Sequence, residues 1–231
     1  MRVAFSPENL IEEAKYYTFH HPRTGKEHTF LVNGSSIYEL SIIDRPHSSW
    51  FVGEQFVSNG AVLVPLKMHP IFLIIPIASS RGKQMLIADE FFKGTELEPI
   101  AEILIPHIST ICDSLDMGEG PLYYFSANKT YEFLINKTQL LMNCLSQQNP
   151  LEDKFQIEVA YDILRHSIPT DIANNLKNEL RKIYPESFIT QLVNNVVENE
   201  EKKKPKNKKK PQKKSNNKQI SDFFKPVKSK K

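Results

Sequence analysis

Residues 28–43 have the sequence HTFLVNGSSIYELSII. Two apolar runs rich in β-formers, residues 28–32 and 36–43, flank Asn33 and Gly34, a pair that favours a tight turn between antiparallel strands. Further short apolar runs, separated by turn residues, lie on either side at residues 16–19, 49–52 and 61–66. Short strands at this spacing predict a small barrel or half-barrel.

The pattern of apolar residues changes after this β-rich part from one typical of strands to one typical of helices. The segment PIFLIIP at residues 70–76 predicts a short helix that begins at Pro70, is buried under the sheet and is limited in length by Pro76. A second helical segment opens at Pro106, and its apolar residues recur at helical spacing. They are Ile108, Ile111, Cys112 and Leu115, ahead of the turn at residues 117–120.

Three longer helices follow in the sequence. Ser126 is suited to cap the first, whose apolar stripe comprises Tyr131, Leu134, Ile135, Thr138, Leu141, Met142 and Leu145. The other two have stripes formed by Phe155, Val159, Ile163 and Leu164 and by Ile172, Leu176, Leu180 and Ile183. The order of elements predicts an α+β protein with a barrel-like domain at residues 1–95, a helical domain at 96–195 and a disordered tail at 196–231.

Charge is distributed unevenly along the 231 residues. Residues 202–231 contain 14 lysines and one acid, Asp222, for a charge of +13. Subtracting this from the chain's formal +3 leaves −10 for the rest. Any long-range attraction to phosphate is therefore expected to act through the tail.

Several kinds of site and location are disfavoured by the sequence. The N-terminus has no secretory signal pattern, and the longest apolar run, residues 71–78, is too short to span a bilayer. Two cysteines, Cys112 and Cys144, cannot supply a disulfide framework or a four-thiolate zinc site, which indicates a reducing compartment. We expect no cofactor and no metal.

Candidate catalytic residues are sparse. Asp89 and Glu90 follow an apolar run, but without a partner acid they are better explained as a solvated turn than as a metal site. The histidines His20, His21 and His28 flank the predicted hairpin and are expected to be surface imidazoles rather than zinc ligands.

The tail contains an apolar motif. Ile220 precedes the adjacent aromatics Phe223 and Phe224 by three and four positions, so in one helical turn the three side chains share a face. With Asn217 at the polar position, this motif resembles the peptide box by which replication and repair proteins bind the sliding clamp, the proliferating cell nuclear antigen. That position usually holds Gln in such boxes, so weaker binding is expected.

A lysine cluster precedes this motif and indicates a nuclear localisation signal, with phosphate contact and plain solubilisation as alternatives. The cluster comprises Lys202, Lys203, Lys204, Lys206, Lys208, Lys209 and Lys210.

The SWF triplet at residues 49–51, the PIFLIIP segment at 70–76 and the YYFS segment at 123–126 resemble the B subunit of the eukaryotic type 2 ribonuclease H. The likeness covers residues 28–184 and resumes at the tail motif. It implies a non-catalytic subunit that forms an interlocked barrel with the accessory C subunit, on which the catalytic A subunit docks. It also implies that the helical part is winged-helix-like, and that the complex acts on RNA–DNA hybrids and on single ribonucleotides in DNA.

The resemblance places the predicted subunit interface on the strands of the β-rich part. The residues assigned to it are Phe30, Tyr38, Trp50 and Phe51, with barrel core as the alternative for Trp50 and Phe51. Two other functions remain open: a clamp-tethered adaptor that binds DNA without enzyme partners, and a hydrolase that uses Asp89 and Glu90.

Overall fold

The computed structural model describes residues 3–5, 10–44, 49–118, 120–148, 153–185 and 187–188. The chain separates into two units, Met1–Ile189 and Thr190–Lys231, and every described residue lies in the first. The tail motif and the lysine cluster of the sequence analysis lie outside the described residues.

A five-stranded sheet occupies the first part of the chain. Its strands are β1 (Val3–Ala4), β2 (Lys15–His20), β3 (Glu27–Asn33), β4 (Ser36–Ile43) and β7 (Val62–Met68), in the order β1-β7-β4-β3-β2. β1 runs parallel to β7, and the other pairs are antiparallel. A one-turn helix, α1 (Leu10–Glu13), precedes β2, and a separate hairpin consists of β5 (Trp50–Val52) and β6 (Gln55–Val57).

The helix α2 (Ile71–Arg81) packs in the common core with the apolar side chains Phe19, Phe30, Ile37 and Met68 of the sheet. The prediction that Pro76 limits this helix is wrong, because the helix continues for five residues beyond it. Pro76 removes one backbone hydrogen bond, but burial of both flanking turns outweighs that loss. The buried residues are Ile71, Phe72, Leu73, Ile74, Ile75 and Ala78.

After α2 the chain makes short turns and then a second hairpin. The 3₁₀ turns Ala88–Glu90, Glu98–Ile100 and Ile105–His107 alternate with the one-turn helices α3 (Ala101–Leu104) and α4 (Ile108–Ile111). The prediction of a helix that begins at Pro106 is wrong beyond residue 111, where α4 ends. Residues Cys112–Asp116 form β8, which pairs with β9 (Pro121–Phe125), because the tyrosine-rich β9 offers a partner that overrides helical spacing.

Three long helices complete the first unit: α5 (Ala127–Gln148), α6 (Asp153–Arg165) and α7 (Thr170–Ile183). Their existence confirms the helical predictions, but the predicted inner face of α6 is largely wrong. Phe155, Val159 and Ile163 are exposed, whereas the buried side chains are Gln156, Ile157, Ala160, Tyr161 and Leu164. None of the helices among the described residues is long and apolar enough to cross a bilayer.

The strands precede the long helices, which confirms the α+β class. Buried side chains from both parts, from Phe19 to Phe188, form one cluster. The division of the folded part into two domains at residues 95 and 96 stays a prediction.

Candidate subunit interface

Within the described residues the sheet does not close on itself, and its two edges differ. At the β2 edge, the backbone N–H of His20 donates to both carboxylate oxygens of Glu96 at 3.0 Å, and the His20 ring Nδ1 lies 2.6 Å from Oε2. Glu96 therefore occupies the end of this edge, where another strand would otherwise bond.

The other edge is held by very few contacts. β1 pairs with β7 through two residues only, Val3 with Val62 and Ala4 with Leu63, and the Phe5 N–H donates to the Leu63 carbonyl at 2.9 Å. A parallel pair this short leaves most of β7 on that side without a strand from the described residues. This edge is therefore the more open one.

The β5–β6 hairpin presents two aromatic rings to solvent. Phe51 and Phe56 are directly opposite each other across the hairpin, with ring centroids 5.3 Å apart. Their exposed fractions are 78% and 60%. An exposed aromatic pair of this kind is typical of a binding surface, because apolar area in water costs free energy that burial against a partner would recover.

Trp50 faces the other way from its neighbour Phe51, as strand alternation requires. Its Nε1–H donates to the Gly60 carbonyl at 2.9 Å, and its ring meets Phe5 edge-on at 5.6 Å. Trp50 thus fastens the hairpin beside the β1 edge and leaves Phe51 outward.

A group of exposed apolar side chains lies on β4, directly after β1 and on the β5–β6 hairpin, and we call this group the apolar rim. The apolar rim consists of Phe5, Ile42, Ile43, Phe51, Val52 and Phe56. Because it combines the open sheet edge with the aromatic hairpin, it is the surface best suited to receive another chain.

The residues assigned to the interface from sequence occupy different layers. Phe51 is on the apolar rim, Trp50 and Tyr38 are half-buried, and Phe30 is fully buried inside the core. Any effect of Phe30 on an interface would therefore be indirect, through the position of β3. These assignments stay predictions. Phe56 is not among the residues predicted from the sequence, although the alternation of Gln55, Phe56 and Val57 opposite residues 50–52 was a usable signal.

The histidines of the first hairpin are not all at the surface. His21 is 8% exposed, so its assignment as a surface imidazole is wrong. The Nε2 atoms of His21 and His28 each lie 3.4 Å from Oε1 of Glu39. The hydrogen bond from His21 is the main cause that lowers the pKa of Glu39, and burial opposes it.

The acidic residues considered for catalysis are not gathered into a site. Asp89 and Glu90 lie exposed on the Ala88–Glu90 turn. Among the described residues, no group of three or more His, Cys, Asp and Glu is placed to hold a metal ion.

Comparison with known proteins finds one matching family model and several relatives that share one name. Residues 5–68 match the family model described as the Ydr279p protein triple barrel domain. The B subunit of ribonuclease H2 from Xenopus tropicalis is 24% identical over 164 residues, which cover 64% of this chain and 54% of that protein. The resemblance to the ribonuclease H2 B subunit is confirmed. The protein of that name from Mus musculus is 20% identical over 225 residues, which cover 81% of this chain and 73% of that protein. The one from Homo sapiens is 23% identical over 140 residues, which cover 55% of this chain and 45% of that protein.

The chain spans about half the length of several of these ribonuclease H2 proteins, 54% of the Xenopus tropicalis one. The whole apolar rim, from Phe5 to Phe56, lies within the matched triple barrel segment at residues 5–68. The open sheet edge and the exposed hairpin therefore belong to the part of the chain for which the family likeness is most direct.

Proposed function

We propose that this chain is a non-catalytic accessory subunit of a type 2 ribonuclease H complex. Its triple barrel domain closes against the accessory C subunit, and the catalytic A subunit docks on the pair and hydrolyses RNA in RNA–DNA hybrids with its own divalent metal. Contact of this chain with hybrid takes place through the complex. The observation that carries the proposal is the apolar rim on an open sheet inside the matched triple barrel segment.

The energetics of the apolar rim favour a stable assembly. Burial of one large apolar side chain is worth about 1.5–3 kcal/mol. Phe51 and Phe56 are mostly exposed, so their joint burial in an interface would contribute about 2–4 kcal/mol. A loss of that size weakens binding by a factor of about 30 to 1,000.

The test is co-purification of this chain with the catalytic A and accessory C subunits. We expect the double change Phe51→Ser with Phe56→Ser to remove the chain from the complex. The matched control is Leu140→Ser, which alters a 56% exposed side chain on α5, outside the matched segment. If the double variant assembles as well as the control, the apolar rim is not the interface.

Catalysis is assigned to the partner. In the assembled complex, Asp89→Ala with Glu90→Ala is expected to leave hybrid cleavage unchanged. These carboxylates are exposed, and among the described residues they belong to no group of three or more that could hold a metal ion. Loss of cleavage with assembly intact would favour the hydrolase alternative instead.

The tail supplies recruitment to the sliding clamp. The apolar side chains of the motif are Ile220, Phe223 and Phe224, and Asn217 occupies its polar position. Calorimetry of a peptide of residues 214–231 against the proliferating cell nuclear antigen should detect binding, and Phe223→Ala with Phe224→Ala should abolish it. A peptide with Lys228→Ala is the control. Equal binding by the phenylalanine variant would refute this role.

The lysine cluster at residues 202–210 directs the chain to the nucleus. Changing its seven lysines to Ala in a fluorescently tagged chain is expected to move the signal from nucleus to cytoplasm. Nuclear signal that persists in this variant, when the other two subunits of the complex are missing, would contradict the assignment.

A further inference from the structure

A cavity of about 560 Å³ lies between the sheet, α5 and the end of α6. Its apolar lining includes Leu66, Met68, Phe72, Leu141, Ile163 and Leu164. The volume is within the usual range of small-molecule sites, and the wall is mostly apolar with a few polar groups, as such sites typically are.

The charged groups around the cavity are mainly basic. Arg23 comes from the β2–β3 turn, Lys137 from α5 and His166 from the residues after α6. Lys67 also borders the cavity, but Leu66 and Met68 face it, so strand alternation turns the Lys67 side chain to the opposite face.

Among the described lining residues, Glu39 is the one carboxylate. Its Oε1 lies 3.4 Å from the Nε2 atoms of His21 and His28, and it accepts a hydrogen bond from His21. The cations Arg23 and Lys137 therefore line a cavity whose one described carboxylate is already hydrogen-bonded to His21, a residue of the same lining.

The Arg23 side chain has a nitrogen that lacks a hydrogen-bond acceptor among the described residues. Its Nη1 atom is buried and has no hydrogen-bond partner among the described residues. A buried guanidinium N–H without an acceptor is unfavourable, and a small rotation of this long side chain towards an oxyanion in the cavity would supply one. The Lys137 Nζ, 5.5 Å from the Phe133 ring centroid, is held on another wall.

We propose that this cavity binds a phosphomonoester attached to an apolar body. A phosphomonoester carries a charge of about −1.5 to −2 near neutral pH and three acceptor oxygens. Two cations and the donor of His166 complement that charge better than they complement a single carboxylate. The apolar wall formed by α5, α6 and β7 receives the remainder of the ligand.

The test uses the full chain and a nucleoside 5′-monophosphate as probe, with residue-resolved amide NMR and calorimetry at constant ionic strength. We expect shifts at Arg23, Ser41 and Ser167, competition by inorganic phosphate at the same amides, and no binding of the unphosphorylated nucleoside. Shifts confined to the lysine-rich tail, no competition by phosphate, or equal binding of the nucleoside would each overturn the proposal.

Variants separate recognition from folding. Arg23→Gln and Lys137→Gln should each raise the dissociation constant at least tenfold, whereas Lys137→Arg should bind with nearly the wild-type affinity. The control, Lys93→Gln, changes an exposed lysine outside the cavity lining and should stay within twofold. Wild-type affinity in either glutamine variant, with amide positions elsewhere unchanged, would refute the site.

Discussion

His69 makes the stability of this protein depend on pH. Its Nδ1 accepts a hydrogen bond from the Ile71 N–H at 3.3 Å, at the start of α2. Its ring packs against His107 and Phe133, with centroids 5.3 and 5.4 Å away. Burial lowers the pKa of His69 to about 4, and the nearby charges of Lys137 and His107 act in the same direction.

The sign of the effect follows from where the proton binds. The ordinary pKa is 6.5, so as the pH falls from 6.5 to about 4 the unfolded chain takes up a proton at His69 that the folded chain does not. The free energy of unfolding therefore decreases over this window. The full difference corresponds to about 3 kcal/mol, and solvent screening at this half-buried ring reduces it to about 1–2 kcal/mol.

The variant His69→Asn keeps a short side-chain acceptor for the Ile71 N–H but does not titrate. Urea unfolding followed by circular dichroism at pH 7, 5.5 and 4 should show that the wild type loses about 1–2 kcal/mol more than the variant. Both proteins share the acid loss that comes from the lowered pKa of Glu39, so the difference isolates His69. Parallel pH dependences of the two proteins would refute the reasoning.

Three further predictions concern single positions. Gly34 has φ +56° in the turn between β3 and β4. Gly34→Ala should lower the free energy of unfolding by about 1 kcal/mol, and Gly34→Asn should lower it by less, as measured by thermal unfolding. A thiol reagent at pH 8 should label exposed Cys144 and leave Cys112 unlabelled, since burial raises the pKa of Cys112 to about 12; equal labelling rates would count against this. On α6, Ile157→Ala should cost about 2–5 kcal/mol, whereas Ile163→Ala, at a 47% exposed position, should cost under about 1 kcal/mol in denaturant unfolding.

Elements with local signals could be predicted from the sequence. The Asn33–Gly34 turn places Asn33 opposite Ser36, and the positive φ of Gly34 is the conformation that its missing Cβ permits. Helix α5 was equally clear, because its apolar stripe repeats from Tyr131 to Leu145, over about four turns. In both cases the residues that decide the structure are close together in sequence.

Elements decided by distant contacts could not be predicted in the same way. Residues 112–116 have helical spacing, yet pairing with residues 121–125 makes them a strand. Helix α6 has apolar residues on two faces, and periodicity alone does not say which face the core covers. The buried face is decided by α5 and α7, which pack against it.

The same distinction applies to the candidate interface. The sequence assigned Trp50 and Phe51 together, although adjacent strand residues point to opposite sides. Which of the two faces outward depends on Phe5 and Gly60, which hold Trp50 in place from other parts of the chain. Aromatic composition marked the segment, and only the tertiary contacts assigned the surface.

Charge argues against the alternative in which the folded body holds a DNA duplex by itself. A duplex presents about one phosphate charge per 1.7 Å along its axis, so groove or backbone binding needs a basic face that meets several phosphates in a row. Residues 1–201 carry −10, and the cations Arg23 and Lys137 line a concave cavity that a duplex cannot enter. Long-range attraction to the phosphates of a duplex is concentrated in residues 202–231, which carry +13. The exposed apolar rim is instead suited to a protein partner, and the accessory-subunit proposal uses this surface. The adaptor alternative requires a basic face, which the net negative charge of residues 1–201 disfavours.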